Sequence, residues 1–422
     1  MTADTTDTVA SPRQKPPSTG ATLRRSLTFW HALLYGLGIT IGAGIYVLIG
    51  PAARIAGMAA PAAFVLAAML MALSALSFAE LATRMPVAAG EAAYVAEGYR
   101  SRAAGTLVGL LVIAIALTTS ATISIGSAQY IRVFLDVDEH LVVLAVVVLM
   151  GAIATWGIVE SVTFAAVMTL IETGGLVLIV ALGLAFEPGA VTRLPEAVPD
   201  LASSAAWGAM IGAGMLAVFA FIGFEGIVNV AEEIEDPRRN LPRAILATLV
   251  VTTLLYVAVV WVALVALGPK MLGDTPAPLA AVFVKLTGLP ATVMAAIAIV
   301  ATLNGIIANL ILASRITYGL GSRGDIPAWL ARIHPRTRTP LLATVIATAI
   351  ALLLALAVPL AGLAEWSSRL TLAMFAIVNG ALLAIKLREA TPPAGIFLTP
   401  KAVPAAGVVA TLVFVAADVL QG

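Results

Sequence analysis

Tyr35-Gly-Leu-Gly-Ile-Thr-Ile-Gly-Ala-Gly-Ile-Tyr46 sets four glycines, Gly36, Gly38, Gly42 and Gly44, in the middle of an apolar run that extends from Phe29 to Gly50 without an Asp, Glu, Lys or Arg. About 20 helical residues cross the roughly 30 Å hydrocarbon core of a bilayer, so the run is long enough to span. Its glycine-rich centre is easily unwound. A second stretch, Phe219-Ala-Phe-Ile-Gly-Phe-Glu-Gly226, carries Gly223, Glu225 and Gly226 at the corresponding depth of another apolar run, five runs further on. Glycine-interrupted helices at matching places in two halves of a chain are the sequence pointer to a binding site at the membrane midplane.

Working outward, eleven apolar runs emerge, at 29–50, 60–83, 103–131, 140–157, 163–186, 206–231, 244–267, 290–319, 341–359, 363–386 and 403–420. The expected fold is an all-α polytopic membrane protein of about eleven transmembrane helices. Composition agrees: of 422 residues, 61% are hydrophobic and 11% charged, against roughly 45–50% apolar and about 25% charged in soluble domains. The net charge of +1 is spread over the chain, without the basic stripe that nucleic-acid binding needs. Absence of cysteine excludes disulfides and thiolate chemistry. His31, His140 and His334 fall at helix ends, His140 on the opposite side from the other two, so they form no metal site, and no cofactor is called for. No His, Cys and carboxylate share a depth to act as nucleophile and base, which argues against an intramembrane enzyme.

With the amino terminus cytoplasmic, 18 of the 24 Lys and Arg residues fall on the inside, among them Arg84, Arg238, Arg239, Arg243, Arg323, Lys386 and Lys401. That bias sets the expected orientation in the plasma membrane. Residues 1–28, rich in Thr, Pro, Ser and Arg, read as a disordered cytoplasmic tail.

The two interruptions suit a zwitterion. Span one runs inside to outside, so unwinding at Gly42 to Gly44 frees backbone N–H groups at the start of its outer half, where the helix dipole favours a carboxylate. Span six runs the other way, and its outer half ends near Phe219 to Ile222 with carbonyls that favour an ammonium. Unsatisfied backbone at this depth must line a cavity, which a ligand would complete. The competing reading is that Gly38 and Gly42 form a GxxxG packing face. Two interruptions in register, one beside Glu225, favour the site.

At these residues the sequence resembles the amino acid, polyamine and organocation permease superfamily. The resemblance rests on Gly38 to Tyr46, on Ser77-Phe-Ala-Glu-Leu-Ala-Thr-Arg-Met-Pro-Val-Ala-Ala-Gly-Glu-Ala-Ala-Tyr94, and on Phe219 to Pro242 with Ala231-Glu-Glu-Ile-Glu-Asp-Pro-Arg-Arg-Asn-Leu-Pro242. It implies a five-plus-five inverted repeat, 29–186 and 206–386, in a ten-helix core (29–386), with 387–422 supplying an additional helix. It implies substrate between spans one, three, six and eight. The backbone of Ile41, Gly42, Ala43 and Gly44 would hold a carboxylate, and that of Phe219, Ala220 and Ile222 an amine, with Gly223 and Phe224 beside them. Phe219 matches an aromatic gate and Glu225 an acidic gating position. Many members have twelve spans, and some proton-coupled members place a lysine in a stretch similar to Met168-Thr-Leu-Ile-Glu-Thr173, where this chain has Glu172. Glu172 is thus the candidate proton-coupling group, because a carboxylate in mid-span is costly and is by default functional.

Other polar residues divide between structure and function. Glu80, at the inner end of span two, reads as structural. The mixed-charge run Glu232 to Arg243 is a solvated loop or a latch against the Arg-rich loop 321–340. Asn304, Asn309 and Ser314 in span eight, and Thr118, Thr119, Ser120, Thr122 and Ser124 in span three, line the path or bond between helices. The expected function is a secondary active transporter for an amino acid, coupled by proton symport or exchange. Alternatives are sodium coupling, a polyamine or organocation substrate, and a non-transporting sensor.

Overall fold

In lipid, a chain must satisfy its backbone polar groups internally, which leaves the helix as the local solution for an apolar run. The computed structural model describes residues 25–42, 44–86, 90–156, 162–200 and 202–420. Apart from an isolated bridge between Leu27 and Ile234, these residues form helices and connections. In order they are α1 (Phe29–Ile41), α2 (Gly44–Ala56), α3 (Ala60–Arg84), α4 (Gly90–Tyr99), α5 (Arg102–Ile131), α6 (Glu139–Trp156), α7 (Val162–Phe186) and the short α8 (Gly189–Thr192). Then follow α9 (Ser204–Phe221), α10 (Pro237–Leu267), α11 (Pro269–Asp274), α12 (Pro278–Thr287), α13 (Thr292–Ser322), α14 (Leu341–Ala357), α15 (Leu360–Arg388) and α16 (Ala402–Val419).

Among the described residues, nine stretches are long and apolar enough to cross a membrane, and Phe29–Ile41 and Leu341–Ala357 are shorter apolar helices. The longest stretch, Gly44–Arg84, contains both α2 and α3, which meet at a 3-10 turn, Gly57–Ala59. Taking α1 with α2 as one interrupted span accommodates the eleven expected crossings. The chain is an integral, multi-pass helical protein.

Local signals fix the helix ends. Ser101 and Ser203 cap α5 and α9 by accepting from the N–H groups of Ala104 and Ala206. Proline opens α10, α11 and α12, where a missing N–H costs nothing. Two expected limits shift. Helix α10 starts at Pro237 rather than 244, because Arg238, Arg239 and Arg243 extend the helix beyond its apolar part, and span one runs on to Ala56.

In the packing, α5 lies along α13 and α3 along α10, while α1 packs on α7 and α10, and α9 on α2, α3 and α15. Among the described residues, each ion pair joins segments expected on the same side. Arg54 meets Asp274 and Arg369 meets Asp418 on one side, and Arg102 meets Asp325 on the other. Glu80 is fully buried in a network on that second side. One of its oxygens accepts from Arg84 at 2.8 Å, and the other from Lys386 Nζ and the Thr399 N–H, each at 2.7 Å. The structural reading of Glu80 fits this role, which ties α3 to α15 and to the segment ahead of α16. The latch expected between 232–243 and 321–340 is absent among the described residues. Residues 233–235 bond instead to the backbone of Ser26 and Leu27, and the Arg-rich loop is held by Arg102.

Candidate functional site

Both glycine-rich stretches interrupt their helices. Helix α1 stops at Ile41, and α2 starts at Gly44. Gly42, with φ 4° and ψ −129°, is the non-helical hinge, and Ala43 lies outside the described residues. Helix α9 ends at Phe221, after which Ile222 turns extended and Gly223 takes φ 131°. The chain then continues as a 3-10 segment, Phe224–Val230.

The two interruptions touch. A Cβ on Gly44 would lie 2.7 Å from the Ala220 Cα, and one on Gly223 would lie 2.6 Å from the Ile39 carbonyl oxygen. Only glycine allows these backbones so close. Ile41, Gly42, Gly44, Phe219, Ala220 and Phe224 are all buried, whereas Ile222 and Gly223 are partly so. The structure thus brings together the described residues expected to bind the two ends of a zwitterion. It also shows their freed backbone groups partly satisfied from within. Glu225, buried, accepts from the Gly223 N–H at 2.9 Å and so caps the interruption it follows.

Three buried tyrosines tie the region to its neighbours, and one of them bonds to both interruptions. The Tyr256 hydroxyl of α10 lies 2.8 Å from the Thr40 carbonyl and 3.0 Å from the Ala220 carbonyl. Its one hydrogen can serve one carbonyl at a time, so the second keeps unused accepting capacity. Tyr46, just beyond the first interruption, donates to the backbone carbonyl of Glu172 at 2.7 Å, and Tyr130 donates to the Tyr46 carbonyl at 2.7 Å. Helix α2 is therefore fastened to α7 and α5, and Glu172, fully buried, stands beside the first interruption. Sequence reading misses these tyrosines, because a tyrosine in an apolar run looks like core and its partners are carbonyls that leave no mark on the sequence.

The three phenylalanines of the second stretch point apart. Phe219 belongs to a buried cluster that also holds Val47 of α2, Ala116 of α5, and Ile306 and Leu310 of α13. Phe221 stacks on Phe64 and Tyr256, while Phe224 stacks on Phe78 and Phe375. On α5 and α13 some polar groups serve their own helix: Thr122 donates to Thr118, Ser124 to Ser120 and Asn309 to Gly305. Thr118 also accepts from Ser367. Ser314 bonds to Ile311. The buried hydroxyls of Thr119 and Ser120 and the Asn304 carbonyl oxygen have no partner among the described residues.

Below this region, α4 brings Glu91 to the 3-10 segment, where a Cβ on neighbouring Gly90 would lie 2.8 Å from the Val228 side chain. Glu91 is buried, and burial pushes its carboxyl up to about 7. Its own backbone N–H opposes the rise and the charge of Glu225 adds to it.

A polytopic helical membrane protein with two interrupted helices in contact at its centre is the class these features define. The profile of the amino acid permease family matches residues 31–388, and the chain belongs to that family. It is a transporter-family protein whose relatives carry transport names. An uncharacterized transporter of Mycobacterium tuberculosis is 30% identical over 374 residues, 88% of this chain and 82% of that one. Cationic amino acid transporter 4 of Arabidopsis thaliana is 29% identical over 405 residues, covering 89% of this chain and 65% of its own length. The methylthioribose transporter of Bacillus subtilis is 26% identical over 413 residues, with 89% and 86% covered.

Proposed function

We propose that this protein is a secondary active transporter that moves an α-amino acid across the cytoplasmic membrane by alternating access, with its amino terminus inside. The observation that carries the reading is the contact between the two interruptions. It sets the amino end of α2, which favours an anion, against the carboxyl end of α9, which favours a cation. A zwitterion is the small solute that answers both. Helix pairing supports the inverted repeat: span one packs on span seven and span six on span two, as exchange of the halves requires. The side-by-side grouping of ion pairs supports the span order, and the Lys/Arg bias supports the orientation.

Phe219 is the gate in this reading, since it matches the family's aromatic gate position and falls in a buried cluster apart from Phe221 and Phe224. Glu172 is the proton-coupling group. One proton moved with a zwitterion gains roughly 2.3 kcal/mol per 100 mV, enough for about a fifty-fold gradient.

The test is uptake into proteoliposomes by wild type and Glu172→Gln, using a panel of amino acids under an inward proton gradient. Wild type should accumulate a subset of the panel. The variant should retain exchange but lose stimulation by the gradient. Failure of every amino acid to exchange overturns the transport reading, whereas undiminished pH stimulation in the variant overturns only the role of Glu172.

A further inference from the structure

We propose that a cleft between the amino end of α10 and residues 395–397 binds the headgroup of an anionic phospholipid whose acyl chain lies along the outer face of α10. The cleft has a volume of about 410 Å³, and Arg238, Arg239, Arg243, Leu246, Ile396 and Phe397 line it. All three arginines are exposed. Among the described residues, no ion pair joins them to the acidic segment Glu232, Glu233, Glu235 and Asp236 that precedes them. Three guanidiniums that converge on one cleft without carboxylate partners match a phosphate, which takes paired N–H donors from such groups.

The apolar part of the cleft separates a lipid from a soluble anion. Arg239, Arg243, Leu246, Val250 and Leu254 follow one another at spacings of four, three, four and four, and so share one face of α10. Val250 and Leu254 are exposed. From Arg243 to Leu254 the helix rises about 16 Å, close to half of a roughly 30 Å hydrocarbon core. Charge at the end of a stripe, followed by one leaflet's depth of exposed apolar surface, mirrors a phospholipid. Free phosphate would gain nothing from Leu246, Ile396 or Phe397. The inner-leaflet location rests on the Lys/Arg orientation, and anionic headgroups are attracted to basic segments on that side.

The test measures lipid retention by the full chain in detergent, using native mass spectrometry with phosphatidylglycerol, phosphatidylcholine or excess inorganic phosphate. Wild type is compared with the combined variant Arg238→Gln, Arg239→Gln, Arg243→Gln, whose fold is checked by its melting curve. Each cation near an anionic surface contributes roughly fivefold. The nearby carboxylates reduce the sum, so the combined variant should lose at least about tenfold of the preference for phosphatidylglycerol over phosphatidylcholine. Phosphate should leave the bound lipid in place. An equal preference in the variant, no preference in wild type, or full displacement by phosphate overturns the proposal. Should the combined variant fail to fold, Arg243→Gln alone is read the same way, with about a fivefold loss expected and an unchanged preference again counting against the site.

Discussion

The two helix interruptions meet, yet they are built differently. The first is a hinge at Gly42, and an α-helix resumes at Gly44. The second requires a positive φ at Gly223 and gives way to seven residues of 3-10 helix, with Glu225 capping the Gly223 N–H. A Cβ at Gly42 would meet nothing nearer than 3.5 Å, whereas one at Gly223 would strike the Ile39 carbonyl. The second interruption is therefore committed to one backbone geometry, and the first has room to change. In a transporter, the looser hinge is the natural place for substrate to act.

Gly223→Ala should show the largest effect. A non-glycine residue at φ 131° costs about 1–3 kcal/mol, and the contact with Ile39 adds to it. The expected loss is at least about 3 kcal/mol, seen as a large drop in the detergent melting midpoint or a failure to recover folded protein. Wild-type melting would remove the asymmetry between the interruptions.

Glu91 sharpens the contrast, because it sits beside the second interruption. A carboxyl raised from 4.5 to about 7 keeps its proton longer in the fold than in the unfolded chain. Stability from this group is therefore complete below about pH 4.5 and is lost as pH rises through about 7, a change on the order of 3 kcal/mol. Melting midpoints of wild type should fall across that window, and Glu91→Gln should flatten the fall. Parallel curves for the two proteins would show that Glu91 does not titrate there.

Tyr256→Phe removes the hydroxyl shared by both interruptions and leaves a buried carbonyl short of a donor, at about 1–3 kcal/mol. Substrate affinity should weaken as well, as measured by binding to purified protein, since Thr40 and Ala220 lose their common anchor. Unchanged affinity would mean that the interruptions are not coupled through this residue. The least steric conflict belongs to Gly42→Ala, whose methyl would meet nothing nearer than 3.5 Å. There we expect folding to survive while substrate affinity drops about tenfold or more. Gly44→Ala, which must push against the Ala220 backbone, should lose stability instead.

Much of this was legible in the sequence. Hydrophobic runs of bilayer length gave the spans, because length alone separates them from soluble helices, and glycine clusters gave both interruptions. Helices α4, α11 and α12 were not visible, since ten residues or fewer carry no span signal and connect regions read as loops. The start of α10 was hidden by its own arginines, although Pro237 marked it. Bonds such as Glu80 to Lys386 and Tyr256 to Thr40 join residues far apart in the chain and depend on packing that no local pattern encodes. Of the tail expected over 1–28, residues 1–24 lie outside the described residues, as does Ala43, whereas Ser26 and Leu27 are bonded to the backbone of 233–235, a pairing with a distant segment that no local pattern shows.

The central claim is that the two interruptions together hold an ammonium and a carboxylate. Its most direct test is ligand-induced thermal stabilisation of the purified full chain, with an amino acid found by the uptake panel set against its decarboxylated amine and its deaminated acid. A bound ligand raises stability by RT ln(1 + [L]/Kd). The intact amino acid should stabilise, and each truncated analogue should need at least about tenfold more ligand for the same shift. If the amine alone stabilises as well as the amino acid, the carboxylate site at the start of α2 does not exist, and the account of the paired interruptions fails with it.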